Sequence, residues 1–218
     1  MPEYLDIETW TRRSHFDLFK TYDNPYFNIG TSVDVTPLLN LTRANKNISF
    51  FIAYHFLSIK AANEVEPFRY RLQGERVLVY ERIHAGTIIL LPDESFTFAY
   101  FDYDENFEAF HTNAKATIDR ALTGGPRLDE RASRDDLIHH SVVPWITFTS
   151  VSHARKRGQD DSVPKIAFGK YGLVGDRVMM PVSVEVHHAL MDGLHVGRYL
   201  SRFETYLADP RAALGLSS

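Results

Sequence analysis

Apolar positions recur at helical spacing in four stretches of the chain, 36–44, 49–65, 106–122 and 191–207. Pro37 in the first turn suits the start of the first stretch. The second stretch is apolar around most of its circumference, so we expect a largely buried helix. The third stops before the breaker Gly124-Gly125-Pro126. The pattern therefore predicts four helices.

Shorter apolar runs predict strands over 68–72, 76–80, 87–91, 95–101, 144–151 and 177–186. The last is the clearest, because valine or methionine occupies every second position from Val178 to Val186, after a Gly175-Asp176 turn. Residues 127–140 are charged and predict an irregular or short helical segment. Regular βαβ alternation and a GxGxxG motif are both absent. The element order predicts an α/β fold of two layers, a mixed β-sheet with helices packed on one face.

The composition favours one domain, residues 1–218, because 44% hydrophobic and 13% aromatic residues can bury a sizeable core. The absence of cysteine excludes disulfides, a thiolate nucleophile and Cys-ligated zinc. The net charge of −4 is spread along the chain, and we expect no nucleic-acid partner, since neutralising phosphates requires a basic face. The basic run 153–157 is interpreted as a solvated loop, with a site for an anionic phosphate tail as the alternative.

The longest apolar run, 49–59, is interrupted by His55 and is far shorter than the roughly 20 residues that cross a membrane. The N-terminal string Met-Pro-Glu-Tyr-Leu-Asp is acidic, unlike a secretory signal. We therefore expect a cytoplasmic protein with no membrane partner.

The densest cluster of chemically capable residues is 187–195, His-His-Ala-Leu-Met-Asp-Gly-Leu-His, where the clearest strand meets the last helix. Such junctions place side chains at a surface or cleft, where a base can reach a substrate. A structural alternative is that Asp192 begins the helix and the histidines are incidental. A metal site is another, because His188, Asp192 and His195 are spaced i, i+4 and i+7. The predicted strand continues to His188, however, and breaks the helical face at its first ligand.

The string His187-His188-x-x-x-Asp192-Gly193 is the HHxxxDG motif of the acyl-CoA-dependent acyltransferase superfamily, and the chain resembles its chloramphenicol acetyltransferase family. Further matching strings are Trp10-x-Arg12-Arg13-x-His15-Phe16, Ser141-x-x-Pro144-Trp145-x-x-Phe148, Gly169-Lys170-Tyr171 before Gly175-Asp176-Arg177, and His195-Val196 to Arg198. The resemblance spans about residues 5–207, in the family's order and spacing.

This resemblance implies an acetyl-CoA-dependent O-acetyltransferase, with chloramphenicol as the first candidate acceptor and antibiotic resistance as the consequence. His188 matches the family's general base, which takes the proton of a substrate hydroxyl as that oxygen attacks the thioester directly. Ser141 matches the hydroxyl that stabilises the oxyanion, and Asp192 with Arg12 matches a buried ion pair that shapes the site. Acetyl-CoA is the implied co-substrate, without a metal. The remaining histidines of interest are interpreted as structural: His15, His139, His140, His187 and His195.

The binding positions are also implied by the resemblance. Lys170 and Tyr171 match positions near the nucleotide end of coenzyme A, and a strand-end lysine with a half-buried tyrosine is the open alternative. Four positions match the lining of the acceptor pocket: Phe19, Phe27, Thr87 and Phe96. The chain departs from the family's apolar, small or threonine residues at Asp23, Phe98, His153, Lys165 and Ala167, which predicts a reshaped acceptor pocket.

The resemblance further implies a homotrimer with three active sites at the subunit interfaces. Its partners would be a small-molecule alcohol and further copies of itself. Three other functions stay open: the same chemistry on a different hydroxyl compound, a non-catalytic small-molecule binder, and a His/Asp metalloenzyme.

Overall fold

A computed structural model describes residues 3–124, 134–155 and 161–216. Its helices are α1 Arg13–Phe19, α2 Thr36–Ala44, α3 Phe50–Asn63, α4 Phe107–Gly124, α5 Gly193–Ala208 and α6 Pro210–Ala213. Its strands are β1 Glu3–Tyr4, β2 Tyr26–Asp34, β3 Tyr70–Gln73, β4 Arg76–Val79, β5 His84–Leu90, β6 Phe96–Phe101, β7 Leu137–Val143, β8 Lys165–Gly169, β9 Gly172–Val174 and β10 Arg177–His187.

The strands form two sheets. The larger has the order β2-β10-β8-β7-β5-β6, with β9 paired to the start of β10. Strands β5, β7 and β8 run parallel to their neighbours in that group, whereas the other pairs are antiparallel. A smaller antiparallel sheet has the order β1-β4-β3. The predicted mixed α/β sheet is confirmed.

The core lies between the large sheet and the helices. Val182, Val184 and Val186 of β10 are fully buried on the face of the sheet that carries α3 and α5. Helix α3 is buried on nearly every side because it packs against α2, α4 and α5 as well as β5. Its first turn is closed by Ser49, whose Oγ accepts the backbone N–H of Ile52 at 3.3 Å.

The opposite face of the sheet is covered near β2, β8 and β10 by the segment 144–155. Asn28 Nδ2 donates to the Val151 carbonyl at 2.9 Å, and a Cβ added to Gly30 would lie 2.1 Å from the Thr149 carbonyl oxygen. The prediction of a strand over 144–151 is therefore wrong: the segment joins no ladder and crosses the sheet through the Thr149 and Val151 carbonyls, while Trp145 and Ile146 are exposed. Glycine at position 30 permits this close approach.

Strand β7 lies where an irregular or short helical segment was predicted. The prediction is wrong over 137–140, and its part over 127–133 lies outside the described residues. The histidines obscured the apolar alternation, because His140 is a core residue: its Nε2 lies 3.0 Å from Ser58 Oγ on α3. No helix among the described residues is long and apolar enough to cross a membrane.

Candidate active site

His188 lies in the turn between β10 and α5. Its backbone N–H donates to the Pro25 carbonyl at 2.7 Å. Its ring stacks on Phe19, with 3.8 Å between ring centroids and 5° between planes, and contacts Phe27 at 4.7 Å. The side chain is 33% exposed. The segment 19–27 of the same chain therefore holds the imidazole on two sides and leaves part of it accessible.

Arg12 and Asp192 form a two-pronged ion pair beside this turn. Arg12 Nε donates to Asp192 Oδ2 at 2.8 Å, and Nη2 donates to Oδ1 at 2.6 Å. The guanidinium also donates to the carbonyls of Ala189, at 3.0 Å, and His188, at 3.1 Å. Burial would raise the pKa of Asp192, but the hydrogen bonds and charge of Arg12 outweigh it and lower that pKa. The pair thus keeps Asp192 ionised and fixes the backbone that carries His188.

His188 Nδ1 lies 3.3 Å from Asp192 Oδ1. This nitrogen is buried and has no hydrogen-bond partner of good geometry in the part of the chain described. Because Nδ1 is buried, Nε2 is the ring nitrogen that a substrate can reach. The Asp192 carboxylate therefore faces the Nδ1 edge of the ring and not Nε2.

His195 is the third residue of α5, and its ring folds back towards the backbone of Asp192. Its Nδ1 accepts the backbone N–H of Asp192 at 2.9 Å, and burial, with the nearby charge of Arg12, lowers its pKa. This contact closes the first turn of the helix. His187 Nδ1 similarly accepts the Ala189 N–H at 3.2 Å. Within 3–124, 134–155 and 161–216, no three His, Asp or Glu side chains are grouped to hold a metal ion.

Ser141 is not near His188 in the same chain. Ser141 on β7 pairs with Ala167 on β8, which pairs with Ser183 on β10. Two strand spacings across and five residues along β10 correspond to about 19 Å between the Cα atoms of Ser141 and His188. A single chain cannot bring the two predicted catalytic groups to one substrate.

The other two predicted pocket residues also lie away from His188. Phe96 is 45% exposed on the edge strand β6, next to Phe98, which is 38% exposed. Thr87 faces the helices: it is 2% exposed, and its Oγ1 lies 3.0 Å from His55 Nε2 on α3. The structure therefore places Phe19 and Phe27 against His188, but neither Thr87 nor Phe96.

Lys170 and Tyr171 lie between β8 and β9, and both are exposed. The tyrosine ring packs edge-on against Phe50, the first residue of α3, at 5.5 Å. Because Gly169 pairs with Val143, this link lies at the same end of the sheet as Ser141. The two predicted coenzyme positions are therefore grouped with Ser141, at the far end from His188.

A cleft of about 1250 Å³ begins beside the segment that holds His188. Its floor includes Glu185, whose carboxylate accepts from Arg155 Nε at 2.9 Å and lies 3.5 Å from His153 Nδ1. Burial acts against ionisation, but the hydrogen bonds from His153 and Arg155 and their charge lower the pKa of Glu185 to about 2. The Arg155 guanidinium stacks 3.4 Å above the Tyr26 ring.

The prediction of a solvated loop over 153–157 is wrong for Arg155, whose side chain is 12% exposed; Lys156 and Arg157 lie outside the described residues. Lys165 is also buried, and its Nζ binds Asp161 Oδ2 at 2.9 Å. Sequence reasoning missed Glu185. The available signal was a carboxylate inside an otherwise apolar strand, which requires a buried cation.

Comparisons with known proteins bear on the family and the fold of the chain. A family model described as chloramphenicol acetyltransferase matches residues 3–204. The chain is 27% identical over 206 residues to the Escherichia coli chloramphenicol acetyltransferase, covering 93% of this chain and 92% of the relative. It is 29% identical over 214 residues to that of Streptomyces acrimycini, covering 96% of each.

A solved chloramphenicol acetyltransferase superposes with a TM-score of 0.86 at 28% identity, covering 95% of this chain and 100% of that one. The dihydrolipoamide acetyltransferase of Azotobacter vinelandii superposes at 0.67 with 19% identity, over 93% of this chain and 88% of that one, which shows the fold alone. The fold and the HHxxxDG turn define an acyltransferase. The chain belongs to the chloramphenicol acetyltransferase family, as its sequence predicted.

Proposed function

We propose that this protein transfers the acetyl group of acetyl-CoA to the hydroxyl of a small molecule, with chloramphenicol as the first candidate acceptor. The observation that carries this proposal is the clamped base: His188 is held by Phe19, Phe27 and the Pro25 carbonyl, with its imidazole partly exposed. In a cell this reaction would confer resistance to the antibiotic. The cytoplasm, where acetyl-CoA is available, is the proposed location.

In the proposed reaction His188 Nε2 takes the proton of the acceptor hydroxyl as the hydroxyl oxygen attacks the thioester carbonyl. The imidazolium that forms is stabilised by Asp192, 3.3 Å from Nδ1, which Arg12 keeps ionised. Ser141 of a neighbouring subunit donates a hydrogen bond to the tetrahedral oxyanion. When the intermediate collapses, the C–S bond breaks, and the thiolate of coenzyme A takes the proton back from the imidazolium.

The separation of Ser141 from His188 supports a shared site, and the family resemblance implies a homotrimer. Apolar side chains of β5, β6 and the segment after β7 are exposed in the single chain and suit an interface: Leu90, Phe96, Phe98, Trp145 and Ile146. Each site would then combine the base of one subunit with Ser141 of the next. Association would also bring Phe96 towards the neighbour's acceptor pocket. Thr87 would instead hold β5 against α3 through His55.

For acetyl-CoA we propose that its nucleotide end lies against Lys170 and Tyr171. The ammonium group suits a phosphate and the ring suits adenine. The N-terminal end of α3 lies next to Tyr171 through Phe50 and adds a positive dipole end there. Acceptor and acetyl donor would then approach His188 from different sides.

The test is release of free coenzyme A from acetyl-CoA with chloramphenicol as acceptor, with and without a chelator. His188→Ala should lower kcat by roughly 10²- to 10⁴-fold, and His15→Ala, an exposed histidine on α1, is the matched control. A His188→Ala variant with more than about a hundredth of wild-type kcat contradicts the general-base role. Loss of activity with chelator would favour the metalloenzyme, and acceptor binding without turnover on any alcohol would favour the binder.

Subunit complementation tests the shared site. Phe27 contacts His188 of its own chain, so both residues belong to the part of the shared site that one subunit supplies. Variants at Phe27 and at His188 therefore cannot complement each other. The informative pair is therefore His188→Ala with Ser141→Ala. After mixing and reassembly in equal amounts, about a quarter of the sites contain one intact His188 and one intact Ser141, and about a quarter of wild-type activity should return. A monomer by light scattering, or no recovery in hybrids, contradicts this arrangement.

A further inference from the structure

The cleft beside His188 carries five charged side chains, four of which neutralise each other. Lys20 Nζ lies 2.7 Å from Glu75 Oε2, and Arg155 Nη2 lies 2.7 Å from Glu185 Oε1. The fifth is Asp23, which is exposed and has neither an ion pair nor a hydrogen bond to any residue in the described ranges. Asp23 is therefore the one acidic side chain of the described cleft lining that no cation pairs with.

Asp23 lies on the segment that holds the base. It precedes by two residues Pro25, whose carbonyl accepts the His188 N–H at 2.7 Å. Two residues span at most about 7 Å between their Cα atoms, which puts the Asp23 carboxylate on the order of 10 Å from His188. A molecule that presents a hydroxyl to the imidazole can therefore reach Asp23 with a group several bonds away.

The sheet side of the cleft is polar as well. Asn28 Oδ1 and His153 Nε2 are buried without a hydrogen-bond partner among the residues described, whereas His153 Nδ1 lies 3.5 Å from Glu185 Oε2. Native proteins ordinarily pair such groups, so this wall suits an occupant with polar groups, or its bound water, better than an apolar ring.

We infer that the acceptor preferred over chloramphenicol, whose amide and nitro nitrogens are uncharged, is an amino alcohol: a hydroxyl compound with a cationic nitrogen that Asp23 binds while His188 deprotonates the hydroxyl. This inference rests on the proposed function and names its substrate class. Asp23 is then a specificity-determining residue, whose charge acts on binding and leaves the chemical step alone.

The test uses two isosteric alcohols, 2-phenylethanol with a para trimethylammoniomethyl group and 2-phenylethanol with a para neopentyl group. They differ by a permanent charge and cannot be N-acetylated, so coenzyme A release reports O-acetylation alone. Wild type should have the higher kcat/KM for the cationic alcohol. Asp23→Asn should raise KM for that alcohol about fivefold, the range of a partly exposed ion pair, with kcat unchanged and no effect on the neutral alcohol. Asp17→Asn, a nearby acid outside the cleft lining, should leave the ratio of the two kcat/KM values unchanged.

A wild-type preference for the neutral alcohol, or the same ratio in Asp23→Asn as in wild type, overturns the inference. If no alcohol, chloramphenicol included, releases coenzyme A, the proposed function fails instead. Equilibrium dialysis of both isosteres against wild type and Asp23→Asn then decides recognition by itself: equal retention by the two proteins refutes the role of Asp23.

Discussion

Replacing Arg12 by methionine should destabilise the protein far more than the same change at its neighbour Arg13. Arg12 is 9% exposed and makes four hydrogen bonds, two to Asp192 and one each to the carbonyls of His188 and Ala189. Breaking a buried ion pair costs about 3–5 kcal/mol. Because the Asp192 side chain is 33% exposed, water recovers part of that cost, and we expect the lower end, about 3 kcal/mol.

For a chain of this size that loss corresponds to a decrease in Tm of roughly 6–12 °C. Thermal and urea unfolding at pH 7 and one fixed protein concentration measure it. Arg13 pairs with Glu8 on the surface, its side chain is 48% exposed, and Arg13→Met should cost less than about 1 kcal/mol. Equal losses for the two variants would refute the reasoning from burial.

The same pair predicts a pH dependence. Arg12 lowers the folded-state pKa of Asp192, so its stabilisation is complete above the ordinary carboxyl pKa near 4 and is lost as pH falls below it. The stability difference between wild type and Arg12→Met should therefore shrink from pH 7 to pH 3. A difference that stays constant would mean that Arg12 acts only through the carbonyls of His188 and Ala189.

Three further predictions concern other parts of the molecule. Ser141→Ala should lower kcat by about 10²- to 10³-fold with little change in KM, and an effect confined to KM would contradict a transition-state role. Burial lowers the pKa of His55 to about 4, so the stability that neutral His55 contributes is present above pH 6.5 and is lost between pH 6.5 and 4. Urea titrations should show wild type losing about 3 kcal/mol more stability than His55→Phe over that range, and equal losses would contradict this. Gly30→Ala forces a Cβ against the Thr149 carbonyl and should destabilise the protein by about 1–3 kcal/mol. Gly197→Ala, with open space around it in α5, should stabilise the protein by about 0.5–1 kcal/mol. Calorimetry that shows the same sign for both variants would count against the packing of segment 144–155.

Local pattern was a good guide where one period dominated. The helix predicted over 36–44 has those bounds, and the strand predicted over 177–186 extends one residue further, to His187. Strand β2 and helix α1 were not predicted. In β2 the sequence Tyr-Phe-Asn-Ile-Gly-Thr-Ser lacks a clear apolar alternation, because Asn28 and Gly30 meet the covering segment on one face.

The candidate site divides in the same way. The HHxxxDG string and the Arg12 match predicted a base beside an ion pair through the family resemblance, because no local spacing relates residue 12 to residue 192. The observed pairing of Arg12 with Asp192, 180 residues apart, agrees with that prediction. Spacing along the chain did not reveal that Phe19 and Phe27 pack against the His188 ring.

Only the tertiary structure decided which of the predicted site residues lie close together in one chain. Strand order puts Ser141 two strands from β10, and the side-chain alternation of β5 turns Thr87 towards His55. The ion pair of Arg155 with Glu185 likewise joins a loop to a central strand. Sheet order and register depend on burial between segments far apart in sequence, which no local period records. The sequence alone indicated the family and supplied the hypothesis for the chemistry of its motif, whereas packing across the sheet determined which of the predicted residues one chain brings together.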